Sequence, residues 1–201
     1  MIRLFIKAIM VLILAAAAAA GLALYRSGDP LYVIQEWLSF GRYHRYDPII
    51  RNAARKSGVD PMLIKAIVWR ESSFHADKVG KDGERGLMQV GSPAAKDWAQ
   101  SEKIETFAFT DLFDAKTNID AGTWYLKKAL QRWAAKDDPV LFALAEYNAG
   151  KSRVDRWLGA TKMGDQATAS DLRDAISFPS TQNYVETILL RYQFYKRRGR
   201  M

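Results

Sequence analysis

The sequence contains no cysteine and only two histidines, His44 and His75. The absence of cysteine excludes a disulfide scaffold, a thiolate metal site, a cysteine nucleophile and a lipid anchor attached through cysteine. Two histidines are too few for a histidine metal cluster. Glycine and proline number 13 and 6 among 201 residues, and no long polar tract occurs. A collagen-like or largely disordered chain is therefore also excluded.

The excess of positive charge, formally +8, is confined to the two ends of the chain. Residues 1–26 and 191–201 contain basic side chains and no acidic ones. The basic residues of these ends are Arg3, Lys7, Arg26, Arg191, Lys196, Arg197, Arg198 and Arg200. Between the ends, basic and acidic residues balance at 22 each. The sequence therefore does not indicate a nucleic-acid-binding domain.

An uncharged apolar stretch of 17 residues, positions 8–24, follows Arg3 and Lys7. Its length lies between a signal-peptide core of about 7 to 15 residues and a spanning helix of about 17 to 25. The cationic end stays inside in both cases, so the rest of the chain is expected to be periplasmic or otherwise extracytoplasmic. We predict a cleaved signal peptide or a retained membrane anchor over residues 1–26, and a juxtamembrane helix or linker over 27–45.

The rest of the chain is predicted to be mainly α-helical. Aspartate or serine directly before proline is typical of a helix start, because the side chain caps the helix and proline fits its first turn. Such pairs are Asp29-Pro30, Asp47-Pro48, Asp60-Pro61, Ser92-Pro93 and Asp138-Pro139. With apolar residues at helical spacing, they predict helices over residues 48–57, 61–73, 93–100, 115–135, 139–149 and 181–197. Segments 78–91 and 152–179 are predicted to be loops or a short hairpin.

Glu71 occupies a position where its helix would be expected to carry an apolar residue. The apolar positions that lead to it at helical spacing are Leu63, Ile64, Ile67 and Val68. Desolvation and the negative end of the helix dipole both disfavour the ionised carboxylate, so we expect a raised pKa at Glu71. Such a carboxylic acid stays protonated near neutral pH and is suited to donate a proton. The alternatives are a structural ion pair with Arg70, Arg85 or Lys65, or an error of one residue in the assignment of the apolar helix face.

Three motifs then follow in order, Glu71-Ser72-Ser73-Phe74, GLMQV over residues 86–90 and ALAEYNAG over residues 143–150. Asn118, Gly122, Tyr125 and Leu126 lie between the second and third motifs, and ISFPSTQNYV follows over residues 176–185. This ordered set resembles the catalytic domain of the lytic transglycosylases named for the soluble enzymes, within the lysozyme superfamily. The resemblance covers about residues 46–195 and leaves 196–201 as a basic tail.

The resemblance implies a compact, helical, lysozyme-like domain that acts on the glycan strands of bacterial peptidoglycan. It makes Glu71 the single catalytic acid and base, which protonates the oxygen between N-acetylmuramic acid and N-acetylglucosamine. The same carboxylate then accepts the proton of the muramic acid C6 hydroxyl, and a 1,6-anhydro end forms without water. The residues expected to bind substrate or hold the cleft are Ser72, Met88, Gln89, Tyr147, Asn148 and Tyr184. Neither a metal nor an organic cofactor is implied.

Several positions depart from the family pattern. Ser177 stands where the family usually has proline, Ser180 where it usually has glutamate, and Glu146 interrupts the commoner AAYNAG. Asp82 and Glu84 place carboxylates on the loop across from Glu71, where either could activate a water. The chain would then hydrolyse the same bond, as an inverting, goose-type lysozyme does. A third reading is an inactive, peptidoglycan-binding scaffold.

The expected partners follow from these functional hypotheses. Peptidoglycan strands are the substrate, and the membrane is a partner if the N-terminal segment is retained. The enzyme would serve either wall turnover or a secretion or conjugation machine. The basic tail is either a solvated end or a contact for anionic lipid and the acidic peptide stems of the wall.

Overall fold

A computed structural model of the chain describes residues 2–199, except for the side chains of residues 2–5, 8, 23, 24 and 26. The chain divides into two compact units, one ending at Tyr43 and one starting at His44. Within both units the regular structure is helical, which confirms the prediction of a mainly α fold.

The N-terminal unit contains α1 (Ile2–Arg26) and α2 (Pro30–Leu38), which contact each other. The Asp29 side chain accepts a hydrogen bond of 2.9 Å from the backbone N–H of Tyr32, so it caps α2 as predicted. Among the described residues, no helix is both long enough and apolar enough to cross a membrane. Met1 of the predicted export segment lies outside the described residues.

The second unit contains α-helices and short 3₁₀ turns, two of them at Phe109–Phe113 and Gly164–Gln166. Its α-helices are α3 (Asp47–Ser57), α4 (Pro61–Ser72), α5 (Ser92–Ser101), α6 (Ala115–Arg132), α7 (Pro139–Ala149), α8 (Lys151–Ala160), α9 (Ala169–Ala175) and α10 (Pro179–Arg198). The six helices predicted for this unit are all present, with ends displaced by three residues or fewer. The largest displacement is at the end of α6, where Trp133 closes the helix earlier than predicted.

The predicted caps are correct in part. The Asp60 side chain accepts from the N–H of Met62 and the Asp138 side chain from that of Leu141, as expected. Asp47 and Ser92 instead lie inside the first turn of their helices and do not cap them. The Asp47 carboxylate lies 2.8 Å from the Nζ of buried Lys65, and this ion pair fastens α3 to α4.

The prediction of a loop or hairpin over 152–179 is wrong. Gly150, with φ 84°, ends α7 and lets α8 begin at the next residue. Thr168 and Asp171 form a reciprocal capping box at the start of α9. The serine, threonine and aspartate residues that suggested a loop are therefore partly helix caps.

Segment 78–91 is a loop, as predicted, and the hairpin is present only as isolated antiparallel bridges. These bridges join Val79 to Arg85 and Arg85 to Val90. The backbone N–H groups of Arg85 and Val90 donate to each other's carbonyl oxygens at 3.2 and 3.0 Å. The loop therefore folds back on itself without forming a strand ladder.

Helix α4 lies at the centre of the second unit. Every residue from Leu63 to Val68 is buried, and α4 packs against α3 and α10. Helix α10 also packs against α7, and α6 packs against α3, α5 and α7. Glu71, in the last turn of α4, therefore directly follows a buried segment of the core helix.

Buried Asn118 on α6 fastens the 78–91 loop to the helical core. Its amide nitrogen donates to the carbonyl oxygens of Arg85 and Leu112, at 2.7 and 2.9 Å. Its amide oxygen accepts from the N–H of Met88 at 2.7 Å. Gly86, with φ 77°, leaves the space for this contact, since a Cβ there would lie 2.3 Å from the Asn118 amide nitrogen. The attachment of the loop to α6 therefore requires both the Asn118 side chain and a glycine at position 86.

We expect Asn118→Ala to lower the free energy of unfolding by about 3 kcal/mol or more. The substitution leaves the partners of three hydrogen bonds buried without their side-chain partner, at about 1 to 3 kcal/mol for each such group. Urea denaturation measures the change, and exposed Gln131→Ala on α6 is the matched control. A loss below about 1 kcal/mol would show that Asn118 does not hold the loop.

Candidate active site

Glu71 lies in the last turn of α4 and faces an open cleft of about 700 Å³. The backbone turns sharply after it, because Ser73 and Phe74 both have positive φ angles, 49° and 63°. Phe74 is buried, which fixes this turn against the core. The carboxyl group of Glu71 accepts a hydrogen bond of 2.6 Å from the hydroxyl of Tyr184 on α10. Two packed helices therefore hold the acid in place.

Burial raises the pKa of Glu71 from 4.5 to about 7. Desolvation is the largest cause, and nearby Glu84 acts in the same direction. The hydrogen bond from Tyr184 and the charges of Lys78 and Arg70 act in the opposite direction, because they favour the ionised form. The balance leaves a large protonated fraction at neutral pH, as the position of Glu71 in its helix predicted.

The alternative of a structural ion pair is not observed. Lys65 pairs with Asp47. The guanidinium group of Arg85 lies over the Phe109 ring, 4.4 Å from its centroid. Arg70 lies over the ring of Tyr184. Within the part of the chain that the structure describes, neither Lys65, Arg70 nor Arg85 forms an ion pair with Glu71.

Ser72 was expected to bind substrate, and the structure places its side chain elsewhere. The residue is 2% exposed, and its hydroxyl contacts the carbonyl oxygens of Leu87 and Val68 at 2.8 and 3.1 Å. The side chain thus joins the end of α4 to the 78–91 loop. The Ser72 side chain is not among those that line the cleft.

Met88 was expected to offer an apolar surface to a sugar, but the structure places its side chain in the core. Its side chain is fully buried and packs over Gly122 of α6, where an added Cβ would lie 2.7 Å from the sulfur. Its backbone carbonyl accepts a hydrogen bond of 3.0 Å from the Tyr147 hydroxyl. The contribution of Met88 to the cleft is therefore made by its backbone.

Lys78 and Gln89 line the cleft, and their side chains donate hydrogen bonds to backbone carbonyl oxygens. The Nζ of Lys78 donates to the backbone carbonyl of Glu71, at the negative end of α4. The side-chain amide of Gln89 donates to the carbonyl oxygens of Lys78 and Gly86, at 3.1 and 2.9 Å. Gln89 lines the cleft as expected, but donation to a substrate would require these bonds to break.

Tyr147 and Asn148, at the end of α7, line the cleft as the sequence predicted. The ring of Tyr147 packs edge-on against Tyr125, with centroids 5.6 Å apart. The side-chain oxygen of exposed Asn148 accepts from the hydroxyl of Thr181 at 2.8 Å. Tyr184 is buried behind Glu71 and orients the acid.

Other acidic residues line the cleft besides Glu71. Asp82 and Glu84, the predicted alternative bases, both line it, and the Glu84 carboxylate accepts from the N–H of Asp82 at 3.1 Å. Sequence reasoning missed Asp97, on α5, and Lys78, which also line the cleft. Neither residue lies in a motif, so only the packing of α5 and of the loop reveals them.

Two departures from the family pattern have structural partners outside the cleft. Buried Glu146 pairs with Arg132 and accepts from the indole N–H of Trp133 at 2.8 Å. Ser177 accepts from the indole N–H of Trp157 at 3.1 Å. Ser180 is exposed in the first turn of α10. None of the three lines the cleft among the residues that the structure describes.

The chain is similar to known peptidoglycan enzymes in sequence and in structure. It is 36% identical over 118 residues to membrane-bound lytic murein transglycosylase F of Desulfosudis oleivorans, a match over 57% of this chain and 24% of that protein. An inactive mutant of the lytic transglycosylase Slt from Pseudomonas aeruginosa superposes with a TM-score of 0.66 at 26% identity, over 78% of this chain and 24% of that one. The 70-kDa soluble lytic transglycosylase of Escherichia coli gives 0.67 at 26% identity, over 77% and 24%.

A 70-kDa soluble lytic transglycosylase in complex with bulgecin A superposes with a TM-score of 0.69, again at 26% identity, over 77% of this chain and 24% of that one. The chain thus spans about a quarter of the length of these relatives. The sequence model of the transglycosylase SLT domain matches residues 48–169, from the first turn of α3 to the start of α9. The match extends over more than half of the chain, which therefore belongs to the transglycosylase SLT domain family.

Proposed function

We propose that this protein is a peptidoglycan lytic transglycosylase in which Glu71 is the single catalytic acid and base. The observation that supports the proposal best is the geometry of Glu71, a carboxylic acid with its pKa raised to about 7, facing a cleft of about 700 Å³. An acid with a pKa near the working pH can both donate and accept a proton. Tyr184 holds this acid in one orientation.

The reaction requires two proton transfers through the same carboxyl group. Glu71 first protonates the glycosidic oxygen between N-acetylmuramic acid and N-acetylglucosamine, and the bond to C1 breaks. The substrate's own N-acetyl oxygen stabilises the resulting positive charge at C1. The Glu71 carboxylate then accepts the C6 hydroxyl proton as that oxygen bonds to C1. The acid is regenerated, and a 1,6-anhydro end forms without a water molecule.

The second candidate is hydrolysis of the same bond. Asp82 and Glu84 line the same cleft as Glu71, and a second carboxylate that activates water is what an inverting glycosidase uses. Both side chains belong to the 78–91 loop, which Asn118 and Lys78 hold in place. Product analysis separates the two reactions.

The proposed location is extracytoplasmic. The apolar segment within residues 1–26 serves either as a cleaved signal peptide or as a retained anchor, followed by a juxtamembrane segment over 27–45. The name of the relative from Desulfosudis oleivorans describes a membrane-bound enzyme, which favours the retained form. The task proposed for the enzyme is wall turnover or the opening of the wall for a secretion machine.

We expect Glu71→Gln to lower turnover of purified sacculi by about 100-fold or more, because it removes the proton donor while keeping the shape of the side chain. Binding of bulgecin A, the ligand of a related structure, should change little and is measured by calorimetry. Exposed Glu105→Gln is the matched control and should keep full activity. Equal turnover in the Glu71 variant and the parent would contradict the mechanism.

Turnover should fall as the pH rises through about 7, where Glu71 loses its proton. Lys78→Met should move this alkaline limb of the kcat profile to higher pH, because loss of the cation disfavours the carboxylate and raises the Glu71 pKa. Tyr184→Phe should move it in the same direction. Lys81→Met, also in the cleft, should leave the limb in place. A downward shift in the Lys78 variant would refute the assigned interaction.

Mass spectrometry of digested sacculi should show glycan ends lighter by one water than hydrolysed ends. Asp82→Asn and Glu84→Gln should still give these anhydro ends, since neither acid takes part in the proposed reaction. Hydrolysed ends that disappear in either variant would establish the second candidate instead.

A further inference from the structure

Helix α2 exposes an apolar face. Leu31, Ile34 and Leu38 recur at helical spacing and are 66%, 39% and 59% exposed. Trp37, at the edge of this face, is 81% exposed. The opposite side carries buried Tyr32, whose hydroxyl donates to Glu36 at 3.3 Å. Single exposed apolar residues are ordinary, whereas a contiguous face of them marks an interaction surface.

The turn after α2 extends this face. Phe40 is 94% exposed and has a φ of 50°, a left-handed conformation that is uncommon for an aromatic residue. The turn is held by hydrogen bonds from the hydroxyl of Ser39 to the carbonyl of Glu36, at 2.6 Å, and from the N–H of Arg42 to the carbonyl of Ser39, at 3.1 Å. Phe40 therefore combines a strained backbone conformation with an exposed aromatic ring.

Helix α1, which precedes α2 in the sequence, indicates that the exposed face of α2 meets lipid. Three residues separate the last residue of α1, Arg26, from the proline that starts α2. The consecutive α1 residues Val11 to Leu14 are each at least 60% exposed. Four consecutive positions cover most of the circumference of a helix, so α1 is apolar on nearly every side. Three residues span about 11 Å, so the surroundings of α1 are also near the start of α2.

We propose that α2 and the turn at Phe40 dock on the surface of a lipid bilayer, with Leu31, Ile34, Trp37, Leu38 and Phe40 inserted among the lipids. Tryptophan and phenylalanine suit this interface, and the helix carries its one charged side chain, Glu36, on the buried side. The inference rests on the proposed retention of the N-terminal segment. It adds that the 27–45 segment is itself a membrane contact and not a free linker.

Fluorescence quenching by lipid tests this proposal on the full-length protein reconstituted in phosphatidylcholine–phosphatidylglycerol vesicles. Lipids brominated near the headgroup should quench the parent protein, and Trp37→Phe should lose most of that quenching. The matched control, Trp124→Phe on α6, should keep it. Lipids brominated at the chain ends should quench Trp37 less than shallow ones do, because the helix lies at the interface.

Equal quenching in the parent and in Trp37→Phe would overturn the proposal. A concentration-dependent cross-link through position 37, with no quenching by shallow bromolipid, would assign the face to a second copy of the chain instead. Activity on sacculi in detergent reports separately on the enzyme. Trp37→Phe should keep that activity, whereas Glu71→Gln should lose it, so failure of the docking proposal is distinguishable from failure of the proposed function.

Discussion

One contact holds the acid of the proposed site in place, the hydrogen bond of 2.6 Å between the hydroxyl of Tyr184 and the carboxyl group of Glu71. It joins the end of the central helix α4 to α10, and it fixes the acid where desolvation raises its pKa to about 7. A carboxyl group on an exposed helix end would ionise well below neutral pH. The fold therefore supplies the protonation state as well as the position of the acid.

The 78–91 loop forms one wall of the cleft that Glu71 faces. Ser72 joins the loop to α4, and Asn118 joins it to α6. The Nζ of Lys78 donates to the backbone carbonyl oxygen of Glu71. Ser72 and Asn118 thereby bond backbone groups of the loop, whose bridges are isolated, and Lys78, itself a loop residue, bonds a backbone group of α4. The loop is therefore tied to α4 and α6 by side-chain hydrogen bonds, although it consists of turns and isolated bridges.

Much of this could be predicted from the sequence. Apolar residues at helical spacing gave the central helix, and Glu71 was identified because it interrupts that spacing. The failures have physical causes. Ser72 and Met88 lie in motifs, but a motif does not tell whether a hydroxyl faces a ligand or a backbone carbonyl, or whether a thioether is covered by a neighbouring helix. Segment 152–179 contains two helices whose capping residues are the same types that favour loops.

The departures from the family pattern show the same limit. Glu146 interrupts a motif beside the cleft, yet its buried carboxylate pairs with Arg132 and accepts a hydrogen bond from Trp133. Ser177, in the place of a proline, accepts a hydrogen bond from Trp157. Tertiary partners distant in the chain decide both roles, and no local pattern records them.

The central claim is that Glu71 is protonated near neutral pH in the folded protein. A carbon-13 NMR titration of glutamate side-chain carboxyl groups tests it most directly, with the resonance assigned by its absence in Glu71→Gln. We expect a titration midpoint of about 7 for this carboxyl group. A midpoint near 4.5, the value of an unperturbed glutamate, would contradict it.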